Sequence, residues 1–358
     1  MIFFVSTRPH RYTMQRFLEQ SRMTHRLDVR VMSYETLFTQ PVATTGTYLF
    51  ADLERLAPAE TEMAATACAQ LRRAGARTLN HPARSMLRYE LLRHLAERRI
   101  NTFDVYRLTE ARAPVRYPVF LRQERWHSDV LSPLLTDAGE LAAAIERVTE
   151  RGINRDGVLI TEFCDTADAS GVYRKYSAFR IGSEIIPAHL YFSRQWMFRR
   201  PDTMPLDAAR LEEEMAYVRE NPHAQQLREV FELACIQFGR IDYGVSRTGG
   251  VQVWEIGTNP TLTEPVAVAG REAAADLMRA RIAMALQALD SGGDRAVWAR
   301  LRVAPRRDPT LPTPREEVVR MGRTVLRRAR LTRYETAIKR PVKAVLRLVD
   351  RSTEAGAP

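Results

Sequence analysis

Cysteine is scarce in this chain of 358 residues, and glycine-rich loops and long uncharged stretches are missing. The three cysteines, Cys68, Cys164 and Cys235, lie far apart with no paired spacing. That excludes a disulfide framework or zinc ribbon and leaves reduced, mostly buried thiols. With only 17 glycines there is no GxGxxG after the first strand, and the chain carries no P-loop, no HRD or DFG kinase signature and no HExxH. No stretch approaches the roughly 18 uncharged apolar residues of a spanning helix, and the opening MIFFVSTRPH is too short in apolar run for a signal peptide. A cytoplasmic location is the expectation. No internal repeat of fixed period stands out.

What is present is the composition of a folded protein, 45% hydrophobic and 27% charged. The length exceeds one small domain, because single cores stop growing at roughly 250 to 300 residues. The net charge of +11 is uneven: from Leu301 onward there are 15 Lys and Arg against 6 Asp and Glu, while the first 300 residues hold 39 against 37. The basicity belongs to a tail. The body therefore offers no ground for sequence-specific nucleic-acid binding.

Along the chain, IFFVST (2–7) reads as a buried strand, followed by a helix from about Met14 to Arg22. The apolar runs DVRVMSY and TYLFADL, a helix from Glu60 to Ala74, and ARTLNHP continue a strand and helix alternation typical of an open α/β layer. Met86, Leu87, Leu91, Leu92 and Leu95 give one apolar face to a helix over Ala83 to Arg99. RYPVFLRQ is a strand, Asp137 and Glu140 start a helix closed by Gly152, and GVLITEFCD is a second buried strand. VYRKYSAFRIGSEIIPAHLYF reads as a hairpin turning at Gly182 and Ser183, an α+β feature. Helices over about Ala208 to Glu220 and Ala224 to Gln237, a second hairpin, and a helix over Arg271 to Leu289 follow. The prolines of APRRDPTLPTP then mark a stiff linker.

The second hairpin, GRIDYGV, SRTGG, VQVWEIG, is the most informative segment. If Ser246 pairs with Val251, then Asp242 faces Glu255 and Arg240 faces Gly257, and alternation puts Glu255 on the face of Val251 and Val253, opposite Gln252, Trp254 and Ile256. Like charges facing each other across a sheet cost a few tenths to about 1 kcal/mol. A divalent cation would offset that cost, since magnesium favours one or two carboxylates with phosphate oxygens and water. The alternative is that Asp242 pairs with Arg240 or another base.

GRIDYGV followed by VWEIGTNP, with PVFLR and LITEFCD ahead of it, resembles the ATP-grasp superfamily, in particular its D-alanine:D-alanine ligase and glutathione synthetase-like branch. The resemblance covers roughly residues 1 to 290. It implies an α/β and α+β architecture: an N-terminal Rossmann-like pre-ATP-grasp domain over 1–82 and an ATP-grasp domain over 83–300. The Pro-rich linker (301–315) and the basic helical tail (316–358) lie beyond it. It further implies ATP and one or two magnesium ions as cofactors. Thr161, Glu162, Phe163 and Cys164 would form the adenine edge, with Arg122 at the phosphates and Lys175, with Arg174 as a further candidate, at a ribose or phosphate contact. Asp242 and Glu255 would bind metal, and Arg240 would stabilise an acyl phosphate or oxyanion.

The sequence departs from that pattern in three places. Arg122 stands where a lysine is usual, keeping a permanent charge that binds phosphate in a bidentate way. QERWHSD has no glycine, so Arg125 or His127 would have to replace a phosphate-cradling loop. Gly257 stands where an asparagine ligand is usual, leaving Asn259 as the candidate to complete the metal shell. His189, Arg194 and Arg199 lie toward an anionic-substrate mouth, with a structural histidine the simpler reading of His189. Arg84 and Arg88 fit either phosphate contacts or surface charges.

The implied activity is an ATP-dependent carboxylate-amine ligase working through an acyl phosphate, releasing ADP and phosphate, on small-molecule or peptide substrates. The alternatives are phosphoryl transfer to a hydroxyl on the same fold and a nucleotide-binding regulatory protein without turnover. A homodimer is compatible with an enzyme of this size. The tail suits an anionic membrane surface, which would make the protein peripheral to the inner face of a membrane, or a protein partner, a polyanion, or packing on its own protein. If it binds lipid, the full chain will float with anionic liposomes and a chain lacking residues 304 to 358 will not; unchanged flotation removes the membrane reading.

Overall fold

The structure is a computed structural model of the chain. It describes residues 1–21, 27–40, 42–44, 46–110, 112–125, 130–198, 203–263, 269–290, 298–301 and 303. His127, Arg199, the linker beyond residue 303 and the tail over 316–358 lie outside the described residues. No described helix is long and apolar enough to cross a membrane.

The first part comprises β1 (Ile2–Ser6), α1 (Tyr12–Ser21), β2 (Val29–Ser33), α2 (Tyr34–Thr39), β3 (Val42–Thr44), β4 (Thr47–Phe50), α3 (Pro58–Arg73) and β5 (Arg77–Leu79). Strands β2, β1, β4 and β5 lie in that order and are all parallel. Every residue of β1 and β4 is buried, as expected of central strands covered on both faces. The strand expected through Tyr34 ends one residue early, because the Ser33 hydroxyl accepts from the Thr36 amide at 3.2 Å and caps α2.

The helix expected over Ala83 to Arg99 is shorter: α4 spans Arg88–Glu97. Ahead of it the Met86 amide donates to the Ala234 carbonyl at 2.8 Å and the Ser85 hydroxyl to the Cys235 carbonyl at 3.1 Å, which holds the segment extended. Then come β6 (Val105–Arg107), β7 (Val119–Gln123), α5 (Ala138–Glu150) and β8 (Val158–Glu162), forming an antiparallel sheet in the order β6, β8, β7. Strand β6 was not anticipated; three residues are too few for a pattern. The Asp137 side chain accepts from the Glu140 amide at 2.9 Å, the expected cap of α5.

The third sheet holds β9 (Tyr173–Ile181) and β10 (Glu184–Ser193), turning at Gly182 with φ +64. After α6 (Ala208–Glu220) and α7 (Ala224–Leu233) come β11 (Phe238–Val245) and β12 (Val251–Gly257), giving the antiparallel order β10, β9, β11, β12. Helix α7 stops short of the expected Gln237 because Cys235 takes a left-handed φ of 54. Finally α8 (Glu272–Leu289) leads to β13 (Trp298–Arg300), which pairs antiparallel with β3. Leu301 and Val303 enter the core beside the first sheet.

The parallel sheet does not keep its core to itself. Ile2, Phe4, Phe17 and Leu49 pack with Phe179, Ile181, Ile186 and Phe238 of the third sheet and with Ile282 and Leu286 of α8. At this junction Asn80, fully buried with a left-handed φ of 58, acts as a hydrogen-bonded clamp. Its Nδ2 donates to the Phe50 carbonyl at 3.1 Å and the Phe238 carbonyl at 2.6 Å, and its Oδ1 accepts from the Gln237 and Phe238 amides at 2.8 and 2.9 Å. Replacing Asn80 with Ala orphans these buried groups and keeps a strained backbone, so urea unfolding will show a loss of about 3 kcal/mol.

Candidate active site

Strands β11 and β12 place Asp242 opposite Glu255 and Arg240 opposite Gly257. Nearer the turn the register differs from the expected one: Val245, not Ser246, faces Val251, and Tyr243 faces Val253. The difference is a bulge at Trp254, which two-against-one pairing requires. The bulge also corrects the faces. Val251, Val253 and Ile256 pack into the core with Leu91 and Leu95 of α4, while Trp254 and Glu255 both line a cleft. The indole lies over Gly244, where an added Cβ would stand 2.8 Å from the ring.

The facing carboxylates are surrounded by cations. Asp242 Oδ1 accepts from Ser177 Oγ at 2.8 Å and Arg240 Nε at 3.0 Å, and its Oδ2 lies 2.9 Å from Lys175 Nζ. Burial opposes ionisation of this 3%-exposed residue, but Arg240 and Lys175 outweigh it and hold the carboxyl well below its ordinary range. Glu255 Oε2 is bonded by Arg88 and lies 3.3 Å from Arg122. Burial, and then repulsion from Arg88, draws the Arg122 guanidinium down to about 10. Facing acids and pairing with Arg240, which the sequence posed as alternatives, therefore coexist.

The cleft beside this hairpin has a volume of ≈ 400 Å³, within the range of small-molecule sites. One end is aromatic: Phe120 and Phe163 flank Trp196 at centroid distances of 4.9 and 5.7 Å, and Phe103, Leu92 and Trp254 complete it. The other end holds Arg122, Lys175, Arg240, Asp242 and Glu255. Thr161, Glu162, Phe163 and Cys164 line the aromatic end where β8 runs out. The Glu162 and Phe163 amides donate to Asp104 O at 3.0 Å and Pro118 O at 2.9 Å. The Glu162 carboxylate serves structure, accepting from Tyr106 Oη at 2.9 Å and from Arg116 Nη2 at 3.0 Å.

The remaining candidates are placed as follows. Asn259 lines the cleft, with Oδ1 accepting from Thr13 Oγ1 at 2.6 Å and Nδ2 donating to the His10 carbonyl at 3.1 Å. His189 is stacked on Tyr191 at 4.2 Å, and burial, reinforced by Arg240, keeps it neutral. It borders a smaller adjoining chamber of ≈ 230 Å³ that shares Lys175, Arg240 and Asp242 with the cleft. Arg174 is paired with Asp168 and Glu213, Arg125 reaches the Leu56 carbonyl at 2.9 Å, Arg194 reaches the Ser170 carbonyl at 3.3 Å, and Arg84 is exposed.

Two signals in the sequence sharpen candidates it already offered. Arg88 is 6% exposed and bound to Glu255, not a surface charge; the signal was its place in the helical spacing of Leu91, Leu92 and Leu95, an apolar face holding one arginine. Only three of the 54 basic residues are lysines, and Lys175 is the one that precedes the tail. A lone compact ammonium in an arginine-rich chain marks a position that arginine does not fill equally.

As a donor set for a divalent cation, the site has hard oxygen ligands in Asp242 and Glu255, which suffice for magnesium when phosphate oxygens and water complete the shell. Among the described residues no three His, Cys, Asp or Glu side chains gather to hold an ion by themselves.

No protein-family model and no curated relative matches the chain. Solved structures do align with it, and they include ATP-grasp ligases. The ATP-grasp ligase PsnB, complexed with a phosphomimetic variant of its minimal precursor, Mg and ADP, aligns at 12% identity over 80% of this chain and 96% of its own, with a TM-score of 0.47. The D-cycloserine synthetase DcsG aligns at 16% identity over 81% of this chain and 100% of its own, with a TM-score of 0.47. The D-Ala:D-Ser ligase VanG of Enterococcus faecalis aligns at 13% identity over 80% and 98%, with a TM-score of 0.46.

The Asp242 pairing has a pH signature. Its folded carboxyl lies below the ordinary 3.8, so its stabilising contribution is complete above that value and is lost as pH falls through the folded one. The difference in urea midpoint between the wild type and Asp242→Asn will therefore be constant from about pH 5 to 8 and shrink below about pH 4. A difference independent of pH would disprove the pairing.

Proposed function

We propose that this protein is an ATP-dependent ligase of the ATP-grasp kind, activating a carboxylate as an acyl phosphate and passing the acyl group to an amine or related nucleophile. The observation that carries the reading is one cleft in which an aromatic chamber at a strand edge runs directly into two facing carboxylates ringed by arginine and lysine. Such a site suits a purine joined to a polyphosphate.

In this reading Phe120, Phe163 and Trp196 clasp the purine along the Thr161–Cys164 edge. Arg122 and Lys175 hold the phosphates, the lysine following them on its flexible stem while still facing Asp242. Asp242 and Glu255 would hold magnesium, which would supply neutralisation of phosphate charge. Arg240, fixed by Asp242, points its remaining donors at the anionic oxygen that forms when an acyl phosphate is made or attacked. Phosphoryl transfer needs this placement of charge more than it needs a protein nucleophile. Asn259 braces the cleft wall through Thr13 and the His10 carbonyl. Small-molecule or peptide acids and amines are the proposed substrates, with ADP and phosphate as products.

A second reading, nucleotide binding without turnover, is favoured by one feature: Gly257 offers no side-chain ligand beside Glu255. Calorimetry with magnesium and ATP, followed by an acid screen with hydroxylamine as acceptor, separates the readings. Binding should need magnesium and weaken at least about tenfold in Asp242→Asn with Glu255→Gln. ADP with a hydroxamate supports the ligase, ADP without one supports a kinase, and binding without ADP supports the regulatory reading. Binding indifferent to the double substitution would sink the site assignment.

A further inference from the structure

Four cations surround the two carboxylates of this cleft, Arg122, Lys175 and Arg240 lining it and Arg88 buried outside its lining, an excess of positive charge before any ion arrives. Lys175 and Arg240 lie on Asp242, and Arg88 and Arg122 on Glu255. Building on the nucleotide reading, we infer that the chain binds its nucleoside triphosphate with a single divalent ion, shared by Asp242 and Glu255, and that the Arg88 guanidinium takes the place of a second.

Three observations converge. The first is charge: the six side chains sum to two positive charges, one divalent ion brings the total to four, and a triphosphate carries roughly four negative charges. A second ion would leave two positive charges uncompensated in a largely buried site, which is costly.

The second is geometry. Arg88 Nη1 donates to the Gln123 carbonyl at 2.8 Å and the Glu124 carbonyl at 3.0 Å, while Nη2 bonds Glu255. Held at three points and only 6% exposed, this guanidinium stays put when a nucleotide enters, unlike the flexible Lys175. It occupies one side of the Glu255 carboxylate that a second ion would require.

The third is the supply of ligands. Magnesium demands near-octahedral oxygen coordination. Gly257 contributes no side chain, the Asn259 carboxamide is engaged by Thr13 and the His10 carbonyl, and among the described residues no third acid, histidine or cysteine completes a cluster with the pair. One ion can be served by two carboxylates, phosphates and water. Two cannot be served equally.

The test counts ions on the full chain. Mn²⁺ is the probe, added with the non-hydrolysable ATP analogue AMP-PNP, and free Mn²⁺ is followed by electron paramagnetic resonance. One Mn²⁺ per bound nucleotide at saturation is expected; two per nucleotide, with the line broadening of a close pair, would overturn the inference and leave the proposed function standing. Failure of the wild type to bind the nucleotide would overturn the proposed function and this inference with it. Arg88→Met should admit a second Mn²⁺, while Arg88→Lys, which keeps the charge, should stay at one. A folded Arg88→Met that remains at one overturns the role given to Arg88. Circular dichroism checks that fold, and if Arg88→Met fails to fold, the wild-type and Arg88→Lys counts decide.

Discussion

Two negative charges set face to face across a buried antiparallel pair are what the rest of this site is arranged around. Asp242 and Glu255 would repel each other in a low-dielectric setting, and the fold answers with a cation on every side. Those cations come from four separate elements: Arg88 from α4, Arg122 from β7, Lys175 from β9 and Arg240 from β11. Closing the carboxylate pair therefore demands that the second and third sheets and α4 be in place together. Stability of the site and stability of the fold are one requirement here.

The bulge at Trp254 is the local device that makes the arrangement compatible with a packed sheet. Strict alternation would have turned Glu255 to the same side as Val251 and Val253, into the apolar core shared with α4 and α7. One extra residue lets the apolar side chains keep the core and delivers both an indole and a carboxylate to the cleft. The segments that follow β1 and β4 of the N-terminal parallel sheet then close the cleft from another side, contributing His10, Tyr12, Thr13 and Arg55 to its lining. The sheet is held there by a common core and by the Asn80 clamp, so its position relative to the hairpin is a matter of packing.

Much of the fold was legible in the residues because its elements carry strong local signals. Fully apolar β1, the Asp137 cap, the Gly182 turn and the two hairpins each announce themselves through periodicity or turn chemistry. The short elements β3, β6 and β13 did not, since three residues hold no period and their strand state depends on partners distant in the chain. The same limit explains the start of α4. Its apolar face runs on in sequence, but hydrogen bonds to the residues around Ala234 pull the preceding turn out of the helix.

Residue type and spacing alone limited this hairpin to a few registers and gathered basic charge in the tail; the bulge at Trp254 then set Asp242 opposite Glu255, since the turn pairs Val245 rather than Ser246 with Val251. Tertiary structure alone decided which cations each acid meets, that Trp254 shares the cleft with Glu255, that Asn259 turns toward Thr13, and that Arg88 is buried. The division has a physical cause. Hydrogen-bonded register is set by neighbours a few residues away, whereas the electrostatic environment of a charge is set by everything within several ångströms of it, and in this chain that includes side chains separated by up to 167 positions.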